Sequence, residues 1–310
     1  METLKFNNGL QCPIIGLGTY QSKDEDCLKA VKTAIDAGYR HIDTALYYQN
    51  EKEIGLALAE KIAEGVIKRE DIFLTTKLWN TFHRPDLVEP ALDQSLKDLK
   101  TDYVDLYLIH WPVAFKDGWE LSPKDEHGKM IFSDADFVDT WRAMESLVDK
   151  RKVKSIGLSN FNKQQVERIL SVARIKPVTN QIEVHPYLVQ RQIVDFCHAN
   201  DIVVTAYRPL GGPPTDPKSP AHDLEIANIA KTHDKTLAQI MLRFLLQRRI
   251  VSIPKSANSD RIRENIKIFD FELDDDEMKT MMALDKGKSG RSIPYDVARE
   301  HKDYPFDADF

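Results

Sequence analysis

The chain is poor in the features that mark secreted, membrane and nucleic-acid-binding proteins. It has three cysteines, Cys12, Cys27 and Cys197, in 310 residues; they are widely spaced and form no CxxC pair. An odd, scattered set of this kind argues against a disulfide framework and against a zinc site, and favours a reducing compartment. No stretch approaches the roughly 18 uninterrupted apolar residues of a membrane helix, and METLKFNNG has neither the basic flank nor the apolar run of a signal peptide. Like charges never run in blocks of five or more, and 43 Lys plus Arg against 49 Asp plus Glu leave a net charge of -6, so neither nucleic acid nor a membrane surface is an expected partner. A cytoplasmic protein is expected. No Pro/Gly/Ser-rich linker divides the chain either: GGPPTDPKSP, residues 211–220, reads as a surface loop, and a single domain over 1–310 is the economical reading.

What the chain does have is rhythm. Short β-branched runs alternate with longer amphipathic ones, the pattern of βα units around a parallel sheet. Strands are expected at 14–19, 40–43, 72–78, 104–110, 155–160, 178–183, 202–207 and 250–255. Between them lie helical patterns such as DEDCLKAVKTAIDAG, with Leu28, Val31 and Ile35 as an apolar stripe and Gly38 as the stop. Eight such units in about 250 residues suit a (β/α)8 TIM barrel. The preceding LKFNNGLQCPI, with Asn8-Gly9 at its turn, reads as a β-hairpin plugging the barrel floor.

Active sites of such barrels lie at the C-terminal ends of the strands. Here those ends are polar: Asp43, Lys77, His110, Ser159 with Asn160, Gln181 with Glu183, Tyr207 and Lys255. Each alone is explained as a strand surfacing, and Ser159 or Asn160 also as the cap of the helix FNKQQVERIL. Asp43, Lys77 and His110 nevertheless fall on consecutive strands, which sets an acid, an amine and an imidazole around one mouth, with Tyr47 and Tyr48 in the loop after Asp43. Gly16-Leu17-Gly18 lacks the third glycine and the spacing of a Rossmann fingerprint. His41, Asp43 and His110 contain no close-set ligand pair, and no metal is expected.

The segments GYRHIDTALYYQNE, TTKLWN, DLYLIHWP, GLSNF, NQIEVHPYL, IPKS and HKDYPF resemble, in order, those of the aldo-keto reductases. The resemblance implies a metal-free (β/α)8 barrel with a C-terminal substrate loop that reduces carbonyls with NADPH through a tetrad of Asp43, Tyr48, Lys77 and His110. The chemistry suits those residue types. Hydride attack builds charge on the carbonyl oxygen, a phenol near pKa ~10 is a weak acid, and a lysine ammonium held by an aspartate favours its phenolate and lowers that pKa. The family's spacing selects Tyr48 over Tyr47.

The resemblance further implies Tyr207 stacking on nicotinamide, with Ser159, Asn160 and Gln181 on its carboxamide and Thr19, Tyr20, Asp43, Arg208 and Leu210 elsewhere along the cofactor. Lys255, Ser256, Asn258, Arg261, Glu264 and Asn265 would hold the adenosine end and read the 2'-phosphate. Arg208 departs from the Ser common after the stacking tyrosine, Tyr20 stands where relatives often carry Trp, and the 211–220 loop is shorter than in many vertebrate relatives. Tyr20, Tyr47, Trp79, His110, Trp111, Ile293 and Tyr295, with Pro294, are candidate pocket walls for apolar aldehydes and ketones, steroids among them. A monomer acting on small carbonyl compounds is expected. Two other readings stay open at this point. One is a non-catalytic subunit of the potassium-channel auxiliary kind, although those carry a long N-terminal extension ahead of the hairpin. The other is an aldolase using Lys77 as a Schiff base.

Overall fold

The computed structural model describes residues 2–308. Two short strands open the chain, β1 (Thr3–Lys5) and β2 (Gln11–Pro13), paired antiparallel with Leu4 opposite Cys12. The hairpin is there, but its turn takes five residues, 6–10, because Phe6 is drawn into the core and Gly9 alone adopts positive φ, +89°. Asn7 donates to the carbonyls of Pro177 and Asp201, and Asn8 to Ser155, all just ahead of strands, so the hairpin closes the N-terminal end of the barrel.

Eight parallel strands follow, each with its helical return. They are β3 (Leu17–Gly18), α1 (Asp24–Asp36), β4 (His41–Asp43), α2 (Glu51–Ala63), β5 (Phe73–Leu78), α3 (Pro85–Leu99), β6 (Leu106–Ile109), α4 (Phe137–Asp149), β7 (Ile156–Ser159), α5 (Lys163–Leu170), β8 (Thr179–Glu183), α6 (Arg191–Ala199), β9 (Val203–Tyr207), α7 (Leu224–His233), α8 (Leu237–Gln247), β10 (Ile250–Ser252), α9 (Ser259–Asn265) and α10 (Asp275–Ala283). Neighbours in sequence are neighbours in the sheet from β3 to β10. Parallel bridges Ile15 to Ser252 and Gly18 to Lys255 close the ring. The first strand is far shorter than the expected 14–19, since only Leu17 and Gly18 pair with β4, and the glycines around it are close-packed. A Cβ on Gly16 would lie 2.7 Å from the His41 ring, and one on Gly18 would lie 2.6 Å from the Ile253 carbonyl oxygen.

Local signals agree with this architecture. In α1 the buried stripe is Cys27, Ala30, Val31, Ala34 and Ile35, with Leu28 at its half-buried margin, and acidic Asp24, Glu25 and Asp26 occupy the positive N-terminal turn. Gly38, at φ +100°, lets Tyr39 N–H reach back to the Ala34 carbonyl at 2.9 Å, which ends the helix. Ahead of α5 the cap is Asn162, whose side chain accepts from Gln165 N–H. The capping role considered for Ser159 and Asn160 is therefore taken by another residue, which leaves those two at the strand end. Every residue of β5 is buried, as expected of a barrel strand covered on both faces, and that includes Lys77 at 0% exposure. No helix among the described residues is long and apolar enough to cross a membrane.

Candidate active site

The barrel carries Asp43 at the end of β4, Lys77 one residue before the end of β5, and His110 just after β6. Tyr48 ends a single 3-10 turn, Leu46–Tyr48, that leaves β4. Lys77 Nζ lies 2.5 Å from Asp43 Oδ1, 2.8 Å from the Thr44 carbonyl and 3.2 Å from the Tyr48 hydroxyl. Three acceptors use up the three N–H bonds of an ammonium, one more than a neutral amine has. The Tyr48 oxygen therefore accepts from Lys77, and its own proton is free to point toward the mouth.

The remaining contacts lock this arrangement. Gln181 Nε2 donates to Asp43 Oδ2 at 2.8 Å, Ser159 Oγ donates to the Gln181 carbonyl at 2.9 Å, and Thr19 donates through Oγ1 and N–H to the Asp43 carbonyl. Asn160, held at φ +62°, donates to the His110 carbonyl and accepts from the Tyr207 hydroxyl at 2.8 Å. Thr44 was not anticipated from the sequence. Nor was Asn50, which ties Thr44 to the Thr19 and Ser22 carbonyls; its only sequence signal was its place before α2.

Burial dominates the electrostatics. It raises the Tyr48 phenol well above its ordinary value, with Asp43 adding to the effect, so the lowering expected from Lys77 is outweighed and Tyr48 is a protonated donor at neutral pH. Burial also lowers Lys77, opposed by the Asp43 charge beside it. His110 lies well below the usual imidazole value because of burial and the nearby Lys77, and its buried Nδ1 has no hydrogen-bond partner among the described residues. It is neutral.

Aromatic rings frame the mouth. Tyr47 stacks on Trp79 at 3.7 Å, His110 sits edge-on to both Tyr48 and Trp79, and Tyr20 tilts against Tyr48 at 5.1 Å. Trp111 stacks on Tyr295 at 3.9 Å, and Asn80 Nδ2 holds the Tyr295 hydroxyl at 2.8 Å. Ile293 is half-buried beside them, whereas Pro294 is exposed.

The region around α9 is built differently. Asn258 caps its own helix, accepting from the N–H groups of Asp260 and Arg261, and Glu264 accepts from Thr236. Ser256 Oγ pairs locally with Asn258, and Asn265 is buried. Lys255 and Arg261 are exposed and have no carboxylate partner among the described residues. Arg208, at φ +47°, lies over Gly212, where a Cβ would stand 3.1 Å from its Nη2, and it too lacks an ion pair among the described residues; Leu210 is half-buried nearby. No group of three or more His, Cys, Asp or Glu among the described residues could hold a metal.

A closed parallel barrel with an acid, an amine, a phenol and an imidazole at one mouth defines a site for moving protons onto a small polar group. Comparison with known proteins is more specific. The Aldo/keto reductase family model matches residues 14–286. "Aldo-keto reductase family 1 member C1" from Homo sapiens is 47% identical over 320 residues, covering 100% of this chain and 98% of that protein. "Prostaglandin-E(2) 9-reductase" from Oryctolagus cuniculus is 47% identical with the same coverage, and "Estradiol 17 beta-dehydrogenase 5" from Mus musculus is 47% identical over 98% of this chain. Among solved structures, the aldose reductase from Schistosoma japonicum superposes with a TM-score of 0.94 at 45% identity over 100% of both chains. The chain belongs to the aldo/keto reductase family, whose members are oxidoreductases.

Proposed function

We propose that the protein is a single-domain, monomeric, cytoplasmic NADPH-dependent reductase of aldehydes and ketones, with ketosteroid-like compounds among its substrates. The carrying observation is the position of Lys77 Nζ, 2.5 Å from Asp43 and 3.2 Å from the Tyr48 hydroxyl. NADPH, when bound, supplies the hydride. The protein's own groups handle the proton. Tyr48 donates it to the carbonyl oxygen, Lys77 stabilises the phenolate left behind, and Asp43 holds the ammonium charged and aimed. Neutral His110 orients the carbonyl oxygen and shares its developing charge.

The unpartnered cations fit a polyanionic cofactor. Lys255 and Arg261 are suited to the 2'-phosphate and Arg208 to the pyrophosphate, with Thr19, Tyr20, Leu210, Ser256, Asn258, Glu264 and Asn265 around them. Tyr207, Ser159, Asn160 and Gln181 are suited to the nicotinamide end. The names of the relatives acting on a prostaglandin and on estradiol support bulky apolar substrates, as do the stacked pairs Tyr47–Trp79 and Trp111–Tyr295. The buried free thiols Cys12, Cys27 and Cys197 support a reducing compartment.

Lys77 is a poor Schiff-base nucleophile, being fully buried with all three N–H bonds engaged. NADPH oxidation measured with a panel of aldehydes, sugars, quinones and ketosteroids should show turnover of apolar carbonyls, faster than with NADH. Absence of turnover across the panel would overturn the reading.

A further inference from the structure

Glu183 is the last residue of β8, fully buried, and no step above uses it. Its carboxylate reaches across 109 and 110 residues of sequence to the C-terminal segment. Oε1 accepts from Ser292 N–H at 2.9 Å, from the Ser292 hydroxyl and from His185 Nε2 at 3.3 Å, while Oε2 accepts from Ile293 N–H at 3.1 Å. Burial opposes the charge, yet the bonds from His185 and Ser292 hold the carboxyl below its ordinary value. It is an acceptor-only anion facing donors on both lobes.

The same segment is held upstream by the loop after β8. Lys286 N–H donates to the Tyr187 carbonyl at 3.0 Å, Asp285 accepts from Val189 N–H, and a Cβ on Gly290 would lie 1.9 Å from the Tyr187 oxygen. Downstream of Glu183's grip the chain has only Pro294 to cross before Tyr295, which is fixed by Asn80 and by stacking on Trp111. The aromatic wall thus has one anchor at the end of β8, one beside β5 and β6, and one between them in Tyr304, whose hydroxyl donates to the Pro294 carbonyl at 2.5 Å. Losing the first would free Ser292 and Ile293 from the end of β8 while Pro294 and Tyr295 stay tied.

We propose that Glu183 is a positioning residue for substrate specificity: through the Ser292 and Ile293 donors it fixes the height of the 292–295 wall over the mouth, and so decides how well a bulky carbonyl compound is held. The proposal rests on the reductase reading for its kinetic consequence but not for its structural one. A small aldehyde that touches only Tyr48 and His110 does not need the wall, whereas a polycyclic ketone does. Glu183→Gln keeps the size of the side chain but turns one acceptor lobe into a donor that meets donors.

The test measures kcat and KM of wild type and Glu183→Gln with a short-chain aldehyde and a polycyclic ketone, together with hydrogen–deuterium exchange over residues 287–300. The expected result is a rise in KM for the ketone of about tenfold, the usual effect of a lost charge-assisted bond, with aldehyde kinetics within about twofold and faster exchange confined to 287–300. Unchanged exchange together with an unchanged ketone-to-aldehyde ratio overturns the proposal. If Glu183→Gln does not fold, Ser292→Ala removes one of the bonds from the surface side and should shift both readouts in the same direction by a smaller factor; no shift overturns the proposal equally. Should wild type reduce no carbonyl at all, the reductase reading fails, while the exchange comparison still decides the latch.

Discussion

The Lys77 end of the mouth and the Arg261 end of the chain both gather charge, but they do so in opposite ways. Around Lys77 the groups are buried and already paired: Asp43 meets Lys77 on one oxygen and Gln181 on the other, and Lys77 spends every donor. Lys255 and Arg261, by contrast, are exposed and have no carboxylate partner among the described residues, and Asn258 in the turn between them is spent on its own helix. A buried charge must be satisfied within the fold, because a lone one costs several kcal/mol. An exposed charge is kept solvated until a ligand arrives and is screened by salt in the meantime. In the proposed function the first region is machinery built in advance, and the second is a grip for the anionic end of the cofactor.

That contrast breaks first at Tyr48. Tyr48→Phe removes the proton donor while leaving its neighbours in place, so turnover should fall by about four powers of ten or more with NADPH affinity nearly unchanged, as steady-state kinetics and fluorescence titration would show. A rate near that of wild type would mean that the cluster is structural.

Lys77→Met should cost about three powers of ten and also lower the melting temperature, because Asp43 is left buried with only the Gln181 side chain. A normal pH profile with retained activity would contradict the electrostatic role. At the other end, Arg261→Ala should weaken NADPH by ~1.5 to 3 kcal/mol, or one to two powers of ten, and leave NADH almost unchanged. Equal losses for both cofactors would show that Arg261 does not read the 2'-phosphate. Raising salt should weaken NADPH binding in wild type more than in this variant.

The remaining effect is on stability and lies under the cluster. His41, on β4 two residues before Asp43, is buried with its pKa pushed down to about 4. A histidine whose folded pKa is depressed contributes stability above its unfolded value near 6.5, and that contribution is lost as pH falls toward about 4. The loss is on the order of 3 kcal/mol. Melting temperatures of wild type should therefore decline between pH 6.5 and 4, and the decline should be shallower for His41→Asn. Parallel curves for the two proteins would assign the acid lability elsewhere, with His83, pushed down to about 3, the next residue to test.

The two regions also differ in how readable they were. Barrel strands are short apolar runs with sharp ends, so Asp43, Lys77, His110 and Tyr207 could be placed on one rim by counting strands. Side-chain commitments of Thr44, Asn50, Asn162 and Asn258 depend on which nearby donor or acceptor wins, and that is settled by local geometry with no composition signal. The Glu183 contacts were hidden for another reason: they join residues more than a hundred positions apart, and Ser292 and Ile293 lie outside any regular element. The shortness of β3 was hidden too, since Gly16 and Gly18 read as a loop as readily as a strand.

Gly18 lies between the two regions. In the sheet it stands in register with Asp43 on one side and with Lys255 on the other, and its missing side chain is what lets the last strand approach. One residue thus sets the spacing between the reactive rim and the start of the cationic turn, as a fixed pin sets the distance between two jaws. Any side chain at this place must part the seam, and the separation would be felt at both ends of whatever ligand spans them.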